Sequence, residues 1–268
     1  MKVLRRLSFV HLYLCIATPL LAGFASTETF LPAVGRLPGQ NGAQFYTTVW
    51  ATNPSKSQTV HFTFQLLKQG QANGVNPASF ESVLSPGETK IYENVVEGKL
   101  HLSNVLGAGR IIADRDVIVS ERIYNQAHPD DDLGTTEGLF FAGVAAPYAL
   151  RLGQSAFVQG VNQGDPTENM RYNFALVETS GLPARVHVAI LDNLGVAVGS
   201  ADYDLLPYEQ IQPNVASVFP AIATINARLV ATVTGGTGRV ILAGAQLANT
   251  SQDSSGFEMT FTNRPAEQ

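Results

Sequence analysis

The 268-residue chain is 45% apolar and 15% charged, with 24 Gly and 14 Pro. That is too apolar for a disordered chain and too rich in turn formers for a long helical one. A formal net charge of −5 disfavours binding to a polyanion such as nucleic acid, and a single cysteine, Cys15, leaves no internal disulfide scaffold.

The chain opens with Lys2, Arg5 and Arg6, followed by a mostly apolar run from Leu7 to Leu21 and by Gly23-Phe24-Ala25. A basic segment, an apolar segment and small residues at −3 and −1 of a cut after Ala25 predict a secretory signal over 1–25. The expected location is therefore secreted, periplasmic or at the cell surface. The apolar run is shorter than the roughly 20 residues that span a bilayer, and no membrane span is expected elsewhere. Cys15 is a poor acylation site, because Tyr13 and Leu14 are bulky where small residues are wanted. Loss of the leader takes the net charge from −5 to −8 and removes the cysteine, which excludes thiolate nucleophiles and cysteine zinc sites from the mature chain.

The remaining chain reads as two copies of one pattern. Phe45 to Ser55 and Met170 to Ser180 each alternate and run into a polar turn. Val60-His61-Phe62-Thr63-Phe64 faces Val186-His187-Val188-Ala189-Ile190, and Leu84-Ser85-Pro86-Gly87-Glu88 faces Leu205-Leu206-Pro207-Tyr208-Glu209. Arg110 to Ala113 matches Arg228 to Ala231, and Val117 to Asn125 matches Ile241 to Asn249 after an extra glycine-rich turn, Thr234-Gly235-Gly236-Thr237-Gly238. The runs are short, rich in Val, Ile, Phe, Tyr and Thr, and separated by Gly, Pro, Asn or Asp, as in antiparallel sandwiches. Val60, Phe62 and Phe64 are expected inside, with His61, Thr63 and Gln65 outside. Short helical turns are expected at Tyr92 to Leu100 and Val215 to Ile225. The fold class is therefore all-β, with two tandem antiparallel β-sandwich domains over 26–150 and 151–268, their boundary falling between Phe141 and Ser155.

Asn53-Pro54-Ser55 after a strand, Leu84 to Glu88 before a Tyr, a late Tyr124-Asn125, and Gly134 to Phe140 make the chain resemble the immunoglobulin-like sandwich repeats of many secreted bacterial proteins. The resemblance covers nearly the whole mature chain and implies architecture, with no common catalytic residues to carry over. The second copy departs from the pattern at Tyr208, in place of Gly87, and at Glu178, in place of Asn53. Its turns are expected to differ in detail.

Catalytic sets are missing from the sequence. No G-x-S-x-G is present, and His61 and His187 fall at equivalent outer positions, which points to a solvated origin rather than to a triad base. No H-E-x-x-H is present for zinc. The cluster His128-Pro129-Asp130-Asp131-Asp132 offers hard oxygen ligands from Asp130, Asp131 and Asp132 that could hold Ca²⁺, although it lacks the spacing of a regular calcium loop and a solvated loop is the favoured reading. Gly164 to Asn169 reads as turn chemistry, and Thr234 to Gly238 as a hairpin rather than a phosphate cradle. Trp50, the single Trp, falls in phase with Thr48 and Thr52 and should point outward, where with His61 it could stack on a sugar ring or anchor a protein. Leu139 to Leu150 is too apolar for an exposed linker; it should pack between the domains or close the first sandwich.

The sequence thus favours a non-enzymatic protein that acts by binding or assembly. Its partner would be a protein or glycan at the cell surface, or a second copy of itself. Two alternatives stand beside this: a carbohydrate-binding module centred on Trp50, and an extracellular hydrolase with a site at the domain junction. No cofactor is expected apart from the possible Ca²⁺.

Overall fold

The computed structural model describes residues 24–126, 128, 132, 135–163 and 169–261. The leader expected over residues 1–25 lies, apart from Phe24 and Ala25, outside the described residues, as do Asp130, Asp131 and residues 164–168. The chain is all-β, built of antiparallel sheets. Among the described residues, no helix is long and apolar enough to cross a membrane.

The first half comprises β1 (Ser26–Pro38), β2 (Gln44–Thr52), β3 (Val60–Lys68), β4 (Ala78–Leu84), β5 (Thr89–Tyr92), β6 (Val105–Asn125), β7 (Glu137–Ala142) and β8 (Val144–Ala145). They join in the order β4-β3-β6-β1-β2-β5, with β7 on β6 and β8 on β1. Strand β6 is 21 residues long and changes partners along its length. Residues 107–113 pair with β3, whereas 118–125 pair with β2. One strand thereby serves both layers around a core that includes Leu31, Val34, Val49, Ala51, Phe62, Phe64 and Val119. Val60, Phe62 and Phe64 are buried while His61 is exposed, as the alternation requires.

The ladder between β1 and β6 slips between Leu31 and Val34. Pro32 sits in this slip, and a proline has no N–H to donate. The next amide, Ala33 N–H, instead donates to Glu121 Oε1 at 3.3 Å.

The second half comprises β9 (Ser155–Gln163), β10 (Met170–Glu178), β11 (Ala184–Leu191), β12 (Ala197–Leu205), β13 (Gln210–Ile211), α1 (Val215–Val218), β14 (Thr224–Gly236), β15 (Val240–Ala248) and β16 (Ser254–Glu258). Sheets ordered β13-β10-β15-β16 and β12-β11-β14-β9 enclose Val158, Tyr172, Phe174, Leu176, Val188, Ile190, Leu229 and Leu242. The expected helical turns are a π-helical turn at Val95–Lys99 and α1, capped by Asn214 Oδ1 accepting from Ala216 N–H.

The pairings of the two halves run in parallel. β2 with β5 and β6 corresponds to β10 with β13 and β15, and β3 with β4 and β6 corresponds to β11 with β12 and β14. Where β6 passes unbroken between layers, β14 and β15 are separate strands joined by a turn. That turn needs glycine: Gly236 has φ +80°, and a Cβ there would lie 2.2 Å from the Pro183 carbonyl oxygen.

The turns at 85–88 and 206–209 turn out alike, contrary to the expected difference. In each, the fourth residue's N–H donates to the first residue's carbonyl, and its carboxylate accepts the first residue's N–H at 2.7 Å (Glu88 from Ser85, Glu209 from Leu206). Both third residues have positive φ, +72° at Gly87 and +56° at Tyr208. A tyrosine is held in this glycine conformation because its ring lies against Arg110 of the first half, 4.3 Å from the guanidinium carbon, and Arg110 is in turn paired with Glu28 at 2.6 Å.

Around that contact Phe30, Leu67, Ala108, Ala149, Val177 and Ile241 form an apolar cluster drawn from both halves. Leu139 and Phe141 of β7 pack with Ala243 in a smaller one, and β7 also completes the first half's sheet as a closing strand.

Candidate functional site

Strand β2 lies between β5 and β6, so its two faces meet different surroundings. Val49 and Ala51 enter the core, and Trp50 therefore lies on the opposite face, half-buried. Directly across from Trp50 are Ile91 on β5 and Ser120 on β6, and Ser120 is followed by Ala142 on β7. One pair further along, Arg122 stands between Thr48 and Phe140. The rings of Trp50 and Phe140 lie 5.6 Å apart, tilted by 38°. Phe140 is 58% and Ile91 55% exposed, and Ile118, opposite Thr52, is exposed as well.

Polar groups border this apolar strip. Thr52 and Thr89 share a hydrogen bond at 2.9 Å, and Arg122 donates to the Thr136 carbonyl while its guanidinium lies 5.2 Å from the Tyr124 ring centre. The Tyr124 hydroxyl donates to Asn94 Oδ1, and burial pushes its pKa up, so it remains a neutral donor. The arrangement is a flat aromatic and aliphatic platform with a hydroxyl and guanidinium rim. It suits stacking and surface burial.

His61 is not part of this platform. It lies on β3, on the outer face of the opposite layer, with its N–H donating to Asp114 Oδ1 at 2.8 Å. The core stands between it and Trp50, because the inward residues of β2 and β3 meet there. Of the acidic cluster, Asp130 and Asp131 lie outside the described residues; Asp132 is exposed, and its carbonyl accepts from the Thr135 N–H and hydroxyl, both at 2.8 Å. Among the described residues no three His, Cys, Asp or Glu side chains gather as a metal site.

Sequence reasoning did not find Phe140 and Ile91 as neighbours of Trp50. In Gly138 to Ala142 no polar residue alternates with the apolar ones, so nothing marks which phenylalanine faces out. It also missed Glu121, a fully buried carboxyl on the inner face of β6, opposite Val49 and Phe141. Among the described residues its Oε2 has no hydrogen-bond partner, and burial raises its pKa well above the usual carboxyl range.

Fold and site together define an all-β protein of antiparallel sheets with an exposed aromatic platform. No protein-family model matches the chain, and no curated protein matches it. Among solved structures, Pleurotus ostreatus lectin in its apo form aligns at 14% identity over 90% of this chain and 86% of that chain, with a TM-score of 0.20. The functional reading therefore rests on the chain's own residues.

Proposed function

We propose that the protein is a secreted, non-enzymatic pair of tandem immunoglobulin-like β-sandwiches that acts by binding a partner protein at the cell surface, in the periplasm or outside the cell. The observation that carries this reading is the platform of Trp50, Phe140, Ile91 and Ile118 on the outer face of a sheet whose inner face is already filled by core. Contiguous exposed aromatic and aliphatic side chains ringed by polar groups are what a docking face requires. The N-terminal leader pattern supports the location, and the parallel strand pairings of the two halves support the tandem arrangement.

A second reading, glycan binding, is favoured by one feature, the tilted Trp50–Phe140 pair beside hydroxyl groups. One experiment tests both. The protein and its Trp50→Ala and Phe140→Ala variants are used in pull-downs from the native secreted or envelope fraction and on a glycan array. A protein captured by the parent and lost in both variants supports the first reading, and a glycan signal lost in both supports the second. Ligands retained undiminished by both variants would remove the platform from either role.

A further inference from the structure

A sheet edge carries unpaired N–H and C=O groups and templates another strand unless it is guarded. Most edges here are guarded. β5, β8 and β13 span four, two and two residues. The outer side of β9 is taken by Thr260, which exchanges both backbone hydrogen bonds with Phe157. β7 is tied to β16 through Ala142 N–H donating to Glu258. On β4, Val83 faces the free edge, because the N–H of His61 opposite it turns away to Asp114; Lys90 Nζ then caps the Val83 carbonyl at 2.6 Å.

β12 is the counterpart of β4, and it lacks these guards; its one irregularity is a bulge at Val198, where Ile190 pairs with Gly199 and Leu191 with Ala197, and from Gly199 to Leu205 the ladder is regular. It is nine residues long, ends its sheet and contains no Lys, Arg or Pro. Among the described residues its backbone makes no hydrogen bonds except within its own hairpin. The hairpin tip is apolar and open, with Leu194 84% exposed and Val196 and Val198 exposed beside it. From the bulge to the end of the strand the outer-face residues change from apolar to acidic: Val198, Ser200, Asp202, Asp204; before the bulge the alternation shifts by one, so Val196 is out of phase with them. Arg185 is shared between the two carboxylates at 3.6 and 3.7 Å and His187 Nδ1 lies 2.9 Å from Asp202 Oδ1, so Asp202 is already partnered, whereas Asp204 stays largely exposed.

This polarity selects the occupant. Pairing with a second copy about a two-fold axis at Ser200 would set Val198 against Asp202, which satisfies neither. We propose that the free edge of β12 takes up an extended peptide segment of another protein as an added antiparallel strand. Its basic residues would lie opposite Asp202 and Asp204, and a β-branched apolar residue, four to six positions later in the peptide, opposite Val198. Main-chain hydrogen bonds would supply the affinity, and the alternating outer-face pairs the selectivity.

The test uses the full chain and a fluorescent peptide of seven residues alternating with threonine, basic at its first and third positions and valine at its seventh, followed by anisotropy. Saturable binding is expected, with a β-type amide I band from an isotope-labelled peptide. Val198→Lys, which places a lysine at this edge as Lys90 of β5 does at the edge of β4, should weaken binding about tenfold, and Asp202→Asn with Asp204→Asn should weaken it severalfold and flatten its salt dependence. The reversed-polarity peptide should bind more weakly, and Trp50→Ala should leave the affinity unchanged, which separates this edge from the aromatic platform. Variants are compared by circular dichroism and melting temperature. If Val198→Lys alters the fold, alternate-residue N-methylation of the peptide takes its place, since methylating only the bonded set should abolish binding. Failure to bind, a non-β peptide spectrum, or affinity indifferent to Val198→Lys and to N-methylation would overturn the proposal.

Discussion

Glu178 and Glu121 are both fully buried, and they are held in opposite ways. Glu178, at the end of β10, accepts through Oε1 from the N–H groups of Ser180 and Arg239 and the Ser180 hydroxyl, and through Oε2 from the N–H groups of Gly181 and Tyr208. Among the described residues Glu121 accepts one amide, that of Ala33, and its other oxygen has no partner. A carboxylate can leave water where a loop folds its amides around it, whereas one facing a sheet core must give up its charge. The first arrangement organises a turn. The second is a residue the fold tolerates.

Asn53, which corresponds to Glu178 in the first half, extends the contrast. It is also fully buried, and its amide donates to the carbonyls of Gln58, Leu84 and Ser85 while its oxygen accepts from Ser55 N–H. Corresponding turns are thus fastened by a hub that mostly donates in one half and by one that only accepts in the other. Neither half's hub can be transplanted, because the surrounding backbone presents the complementary groups.

Removing the acceptor hub should have the largest effect. Glu178→Ala strands four backbone N–H groups, and a loss of about 3–5 kcal/mol is expected in chemical denaturation. Asn53→Ala strands up to three carbonyls that water can reach more readily at the turn, and about 1–3 kcal/mol is expected. Equal losses at the two sites would undo the contrast, and an Asn53→Glu variant more stable than Asn53→Ala would show that the first turn accepts either hub.

Glu121 should respond in the other direction. Its folded pKa lies above the unfolded value, so the folded protein retains a proton that the unfolded chain releases. Stability at this site is complete below the unfolded pKa and declines as pH rises from there toward the folded one. Glu121→Gln should remove that slope, and Glu121→Leu should be about 1–2 kcal/mol more stable than the parent at about pH 8. Parallel stability profiles for parent and Glu121→Gln between about pH 5 and pH 8 would mean that the carboxyl is not held neutral.

The strand pattern was legible because each strand has one wet and one dry face; the alternation in Val60 to Phe64 and the phase of Trp50 report that directly. The turn signals Ser85-Pro86-Gly87-Glu88 and Leu206-Pro207-Tyr208-Glu209 were legible for a similar reason, since proline and the terminal glutamate act locally. Three features were not. β6 serves two layers, a property of where its partners end rather than of its own residues. The alignment of Glu178 with Asn53 was visible, but the hydrogen bonds that make both of them hubs come from segments up to 61 residues away. Trp50 and Phe140 meet only after β6 and β7 have paired, 90 residues apart in the chain.

Tyr208 makes the finest comparison with Gly87, because the two turns share hydrogen bonds and the sign of φ and differ in one side chain. Holding a non-glycine residue at positive φ costs about 1 kcal/mol, and Tyr208→Gly would relieve it. The same change removes the ring under Arg110 and apolar packing against the cluster shared by both halves, worth about 1 kcal/mol or slightly more. A net stability change within about 0.5 kcal/mol is therefore expected from Tyr208→Gly alone. Tyr208→Ala keeps the strain and loses the ring, and it should cost more than Tyr208→Gly in the same denaturation assay. In an Arg110→Ala background the ring has lost its cation, so Tyr208→Gly should become stabilising. If Tyr208→Gly is equally costly with and without Arg110, the stacking contributes nothing and the tyrosine is held by apolar packing alone.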